Sequence, residues 1–337
     1  MKRYLKSLLV VLWLVLMLIM VACNNNESPN AKGKETEVDT TSENKDQNSD
    51  PFPITTTIEG KEINLTEKPH KIAALSLNVA EVVMDLTGPE SIVTVTDTME
   101  QENLSHFSKE AKLIKNKIKG ATSLDPETVL SYDPDLILLT LTHGAEEDAN
   151  EMLMKARIPL ASFNRWTTIQ DVMDNYKKIG QLIGEEEKAF KVVADMQVKI
   201  DQVQKTANNK DKKPTVLMLS QVGSNTGPYI LGPSSIAYDL IELAGGKSGS
   251  DVLELDKTSP ASIEHIIEID PDYIILVEWS ATSDEFTELI ESDGFQSLAA
   301  VKNGNVKQMK AKDISQPNRF IVEQLDKLAD WLNKGKH

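Results

Sequence analysis

One cysteine in 337 residues leaves this chain without an internal disulfide and without a cysteine-built zinc site. Positive charge is also short: 36 Lys and Arg stand against 52 Asp and Glu, a formal net charge of −16. That balance excludes phosphate-backbone binding as a main activity, since nucleic-acid binders cluster Lys and Arg. There is no Gly-x-Ser-x-Gly elbow, no Gly-x-Gly-x-x-Gly fingerprint and no phosphate loop. Hydrolase, dinucleotide and nucleotide chemistry therefore have no foothold in the sequence. What is present is 40 % apolar content, enough for one large or two medium cores.

The lone cysteine has a telling address. Lys2, Arg3 and Lys6 precede an apolar run from Leu8 to Val21, followed by Ala22 and Cys23. A basic head, a short apolar segment and a small residue describe a secretory signal. The run is shorter than the 18 or more residues a spanning helix requires. Met20-Val21-Ala22-Cys23 resembles a bacterial lipoprotein cleavage box, with Met where Leu is usual; the resemblance implies that Cys23 is lipidated and becomes the first mature residue. Removing residues 1–22 takes away three basic groups and no acid, moving the net charge from −16 to −19. Asn24 to Asp50 is nearly devoid of large apolar residues and reads as a flexible tether.

Beyond the tether, short β-branched runs alternate with helical spacings. Lys71–Leu77, Ser91–Val95, Asp135–Leu141 and Ile158–Phe163 read as strands, with a helical face over Ala80–Leu86. Glu185 to Ala207 is a long charged amphipathic segment without a turn signal. A second alternating series follows at Thr215–Ser220, Tyr229–Leu231, Tyr273–Trp279 and Asn305–Met309, and Asn318–Leu332 closes as an amphipathic helix. The pattern predicts an α/β fold of two Rossmann-like lobes with parallel sheets, joined by one long helix, with a ligand cleft between them. Its expected parts are a signal (1–22), anchor and tether (23–52), N-terminal lobe (53–184), connecting helix (185–213) and C-terminal lobe (214–337).

An internal repeat supports the two lobes independently. The stretch from Asp125 through Glu127 to Asp133-Pro134-Asp135 recurs as Ser262 through Glu264 to Asp270-Pro271-Asp272, at a constant separation of 137. Each copy offers an N-cap, a glutamate at the second helical position, and an Asp-Pro-Asp that ends the helix and opens a strand. A second echo pairs Ala80–Gly88 with Ala237–Gly245 at a separation of 157, so the first lobe carries about 20 extra residues between its landmarks.

Ligands of open α/β sheets sit beyond the carboxyl ends of the strands. That rule nominates Asn78, His143, Arg165, Trp166, Tyr229, Trp279 and Arg319 as cleft residues. Aromatic and arginine side chains concentrated there suit a bulky, partly apolar ligand.

Taken together, Lys68-Pro69-His70-Lys71-Ile72, Pro134-Asp135-Leu136-Ile137, Ile179-Gly180-Gln181-Leu182-Ile183-Gly184, Leu243-Ala244-Gly245-Gly246 and Ala300-Val301-Lys302-Asn303-Gly304 resemble the bacterial ABC-importer binding proteins for iron–siderophore complexes, heme or cobalamin. The resemblance implies a stiff interlobe helix, capture in the cleft, a lipid-anchored position outside the cytoplasm, and no enzymatic activity or cofactor. It further implies that Glu127 and Glu264 dock a monomeric carrier onto an ABC permease dimer with its cytoplasmic ATPase. Five histidines place only His143 at the cleft, too few for a direct metal-ion site but compatible with one axial bond to heme. Two cleft arginines suit a near-neutral hydroxamate-type ferric siderophore better than a strongly anionic chelate, with cobalamin or heme as the alternative cargo.

Overall fold

The computed structural model describes residues 51–120, 123–207, 213–222, 227–280 and 285–334. The cleavage box, Cys23 and the tether to Asp50 lie outside the described residues. No helix among those described is long and apolar enough to cross a membrane.

A hairpin, β1 (Ile54–Ile58) and β2 (Lys61–Leu65), precedes the first lobe. That lobe is a sheet of β3 (Ile72–Ala74), β4 (Ile92–Thr96), β5 (Asn116–Ile118), β6 (Leu136–Thr140) and β7 (Leu160–Phe163), in the order β5-β4-β3-β6-β7 and wholly parallel. Every residue of β6 is buried, as a parallel strand covered on both faces requires. Its helices are α1 (Leu77–Thr87), the single turn α2 (Ser108–Ala111), α3 (Pro126–Ser131), α4 (Gly144–Leu153) and α5 (Ile169–Leu182).

Next comes α6 (Glu186–Ala207), 22 residues long. Its buried positions are Ala189, Val193, Met196, Ile200, Val203 and Ala207, a 4-3-4-3-4 spacing that makes one continuous stripe. Helix α5 packs closely on it. A Cβ added at Gly180 of α5 would sit 2.4 Å from the Ala189 Cβ, so the approach requires glycine there.

The second lobe contains β8 (Thr215–Ser220), β9 (Tyr229–Ile230), β10 (Lys247–Ser248), β11 (Ser259–Pro260), β12 (Tyr273–Glu278) and β13 (Val306–Lys310), with α7 (Ile236–Leu243), α8 (Ile263–Ile269) and the closing α9 (Ile321–Lys334). Its sheet is mixed, which corrects the expectation of two parallel sheets. β8, β12 and β13 are parallel, but β9 runs antiparallel to β8, and β11 antiparallel to β9. Only residues 221–228 separate β8 from β9, too few for the crossover that a parallel pair needs.

The repeat is realised down to the backbone. Asp125 Oδ1 accepts the Glu127 N–H and Ser262 Oγ accepts the His265 N–H, capping α3 and α8. Asp133 and Asp270 both adopt left-handed backbone, with φ of 50° and 43°. The following proline disfavours right-handed helix there, and Asp is among the residues that tolerate the left-handed region. Asp135 then accepts the backbone N–H of His70 and Lys71 at the start of β3, and Asp272 accepts that of Thr215 at the start of β8. Each Asp-Pro-Asp thus stops a helix and ties two neighbouring strands together.

Candidate functional site

A cavity of about 590 Å³ opens where the carboxyl ends of both sheets meet. From the first lobe it is lined by segments that follow β3 (Ser76, Asn78), β4 (Thr96, Thr98), β6 (Thr142, His143) and β7 (Arg165, Trp166). From the second come Ser220 at the end of β8, Tyr229, Trp279 after β12, and Ser315, Gln316 and Pro317 beyond β13. Six of the seven nominated cleft residues converge here: Asn78, His143, Arg165, Trp166, Tyr229 and Trp279.

Arg319 is the exception. Its guanidinium turns away from this lining and pairs with Asp85 of α1, Nε to Oδ2 at 2.6 Å and NH2 to Oδ1 at 3.1 Å. It also lies 4.2 Å over the Phe320 ring. Position at a strand end nominated it, but a half-buried cation is stabilised by a partly buried carboxylate, and Asp85, which supplies one, belongs to the other lobe.

The polar groups of the cavity are held by a backbone-anchored network. Thr140 N–H donates to Ser76 Oγ at 2.9 Å, and Thr140 Oγ1 donates to Asn78 Oδ1 at 3.0 Å. This bond fixes the amide of Asn78 so that its donor nitrogen is the group left for the cavity. Glu146, buried at the start of α4, accepts the Thr142 and His143 N–H groups through Oε2 at 2.7 and 2.9 Å. His143 Nδ1 lies 3.4 Å from the same oxygen, while the ring stays half exposed. Arg165 is exposed and donates NH2 to the Thr142 carbonyl at 3.1 Å. Across the cavity, Trp279 Nε1 donates to Ser220 Oγ at 2.8 Å, which sets the indole plane. Trp166 is buried and packs edge-on against Phe163 at 6.2 Å between centroids.

Among the described lining residues, Glu146 and Arg165 are the charged pair, alongside His143. The remaining polar lining is mostly Ser and Thr hydroxyl, with three aromatic walls in Trp166, Tyr229 and Trp279. Such a wall offers hydrogen bonds and stacking, with almost no net charge. Thr96 and Thr98 escaped the sequence reading although the strand-end rule covers them. Ser234, Ser235 and Thr258 lie behind the short antiparallel strands, where that rule has no purchase.

Beside the cavity a seam joins the lobes, and the extra segment of the first lobe supplies most of it. The Asn103 carbonyl accepts the Lys312 N–H at 2.9 Å, and its amide donates to the Ser280 carbonyl. Glu102 pairs with Lys310 at 3.2 Å. His106 stacks on Phe320 at 4.1 Å and places Nε2 3.3 Å from Asp313. From the second lobe, Asp239 accepts the Ile169 N–H at the start of α5, at 2.7 Å.

Glu81 lies buried under this seam, accepting from Ser105 Oγ at 2.8 Å and His106 N–H at 2.7 Å. Burial raises its carboxyl above the ordinary range, against the lowering effect of those two donors. A raised folded-state value means the folded chain holds the proton more tightly than the unfolded chain. That stabilisation is complete below about pH 4.3, the free glutamate value, and is lost as pH rises through the folded value. Glu81→Gln keeps an acceptor oxygen and removes the titration. Glu102, Asp125, Asp133, Glu185 and Glu264 are shifted the other way. The readout is therefore the difference in urea midpoint between parent and variant from pH 4 to 8, which should move against the parent as pH rises; a pH-independent difference would refute the assignment.

Both repeat glutamates are exposed and lie at the same end as the cavity. Glu127, on α3, comes seven positions after the lining residue Gly120, and Glu264, on α8, comes six after the lining residue Thr258 with β11 between. Among the described residues, no group of three or more His, Cys, Asp or Glu side chains is placed to hold a metal ion.

Comparison with known proteins agrees with this architecture. The ABC transporter substrate-binding lipoprotein YvrC of Bacillus subtilis is 22 % identical over 291 residues, covering 85 % of this chain and 87 % of its own. The petrobactin-binding protein YclQ of the same organism is 23 % identical over 309 residues, covering 89 % and 90 %. The solved apo structure of the periplasmic heme-binding protein RhuT from Roseiflexus superposes with a TM-score of 0.70 at 17 % identity, over 80 % of this chain and 99 % of that one. The periplasmic binding protein family profile matches residues 72–312, most of the folded body, and the chain belongs to that family.

Proposed function

We propose that this chain is the lipid-anchored, extracytoplasmic substrate-binding component of an ABC importer, and that its cargo is a ferric siderophore of the hydroxamate type. It acts as a carrier without catalysis. The observation that carries the reading is the cavity lining: hydroxyls, three aromatic rings, one arginine and one buried carboxylate between two lobes. A tricatecholate ferric complex would bring about three negative charges to a wall whose charges nearly cancel, which the Coulomb cost in a partly desolvated site opposes. A near-neutral hydroxamate chelate meets no such cost and can stack and hydrogen-bond. The name of the petrobactin-binding protein YclQ supports a siderophore cargo without choosing its type, and that of the substrate-binding lipoprotein YvrC supports the anchor at Cys23.

In this reading Glu127 and Glu264 engage basic pockets on the permease, one per lobe. Heme is the second reading. His143 directs Nδ1 towards Glu146 while its ring is half exposed on the cavity wall, so Nε2 is the nitrogen that could reach an iron.

Tryptophan quenching with a ferric trihydroxamate, a ferric tricatecholate, cobalamin and hemin separates these cases. Submicromolar binding of the trihydroxamate, with the tricatecholate at least tenfold weaker, is expected. Tighter binding of hemin, with a Soret shift that His143→Ala removes, would transfer the assignment to heme, and tighter cobalamin binding would transfer it to cobalamin. Quenching by none of the four would overturn the cargo class. Trp279→Ala should weaken the binding at least tenfold.

A further inference from the structure

The extra segment of the first lobe holds an island of positive charge on an acidic molecule. Between positions 109 and 119 stand Lys109, Lys112, Lys115, Lys117 and Lys119, with Glu110 as the one acid. Lys109 lies on α2 and Lys112 just after it, whereas Lys117 sits in β5, flanked by Lys115 and Lys119, along the free edge of the first sheet. Lys117 is engaged, its Nζ 3.2 Å from Glu100. Lys109, Lys112, Lys115 and Lys119 are exposed, and none forms a salt bridge among the described residues. Leu113, in their midst, is 74 % exposed.

Lysine on an edge strand discourages pairing with another sheet, and that accounts for the residues at β5. It does not account for Lys109 and Lys112, which are off the strand. Nor does it account for Leu113, because an edge protected against association gains nothing from an exposed leucine. An apolar side chain ringed by unpaired lysines matches the chemistry of an anionic bilayer surface. There the ammonium groups gather at the headgroups and the leucine enters the acyl boundary. An acidic protein surface would satisfy the lysines but would leave Leu113 without a role.

We infer that residues 109–119 form a membrane-contact patch that rests the first lobe on anionic phospholipid headgroups. The patch leads to the cavity rim, since Gly120 lines the cavity and Glu127 stands in the first turn of the next helix, α3. Contact there would bring the rim towards the membrane and fix the orientation of the first lobe against it. The inference shares with the proposed function only this orientation and is independent of the cargo.

The test uses the mature chain, residues 23–337, carrying Cys23→Ser and Leu113→Cys, labelled at the new thiol with an environment-sensitive dye. Vesicles are of phosphatidylcholine alone or mixed with phosphatidylglycerol. A blue shift on the anionic vesicles only, reversed at about 0.5 M salt, is expected. Lys109→Gln and Lys112→Gln should each lower apparent partitioning by about fivefold. These two lie off the strand, so sheet-edge effects do not enter, and far-ultraviolet circular dichroism with urea unfolding of each variant verifies the fold. Equal shifts on both vesicles, or none, would overturn the inference. A shift that appears only when the vesicles contain the permease would overturn it in favour of a protein partner.

Discussion

Cells carrying Glu127→Ala together with Glu264→Ala are expected to lose cargo uptake, while the purified double variant binds cargo with unchanged affinity. Both side chains are exposed at the second position of a short helix, and neither lines the cavity. Backbone N–H and the Ser262 hydroxyl hold the Glu264 carboxyl below the ordinary range, so it stays ionised in mildly acidic surroundings. A solvent-exposed glutamate in a first turn gains only a small, screened stabilisation from the helix dipole. Losing that twice leaves a domain of ordinary stability folded. Truncating one partner of a desolvated interfacial ion pair costs about 2–5 kcal/mol, which is 30-fold or more in docking for each lobe. Single variants should therefore fall between parent and double variant. Labelled-iron uptake beside tryptophan quenching checks both halves. Undiminished uptake in the double variant would mean that common ancestry and the helix dipole alone explain the shared glutamates.

The repeat was legible because its signals are local. Asp125 and Ser262 as caps, and Asp-Pro-Asp as stop and start, operate within ten residues, and the fold uses them as read. The cavity wall was legible by a similar rule, since residues such as Asn78, Arg165 and Trp166 follow strands directly. What the sequence hid is long-range. Arg319 follows β13 as a ligand-binding arginine would, but its partner Asp85 lies 234 positions upstream, and no spacing announces that pairing. The antiparallel β9 was misread because two residues of β-branched or aromatic character carry no direction; the eight-residue connection does. The extra segment was visible only as a count of about 20 residues. Its roles in the seam, through Asn103 and His106, arise from contacts made across the lobes.

Asp85→Ala is expected to lower stability by about 2–4 kcal/mol, below the 3–5 typical of a fully buried broken pair, because the Arg319 side chain keeps 30 % of its exposure. The substitution leaves the guanidinium only Glu323 Oε1, 3.6 Å away and more exposed, beside the Phe320 ring, and takes away the acceptor of the Tyr176 hydroxyl, 3.3 Å from Asp85 Oδ2. Arg319→Ala should cost less, about 1.5–3 kcal/mol for the charged hydrogen bonds it removes, since Asp85 still accepts from Tyr176. The double variant should then fall short of the sum of the singles by about 1–3 kcal/mol, the coupling of a contacting pair. Cargo affinity should stay within about twofold in Arg319→Ala, as this side chain is outside the cavity wall. Urea unfolding and tryptophan quenching on the same three variants decide the matter. A cation that held cargo would show the reverse pattern: affinity lost tenfold or more with the unfolding midpoint unmoved. The geometry of Arg319 requires that the lobes, and not the ligand, feel its loss.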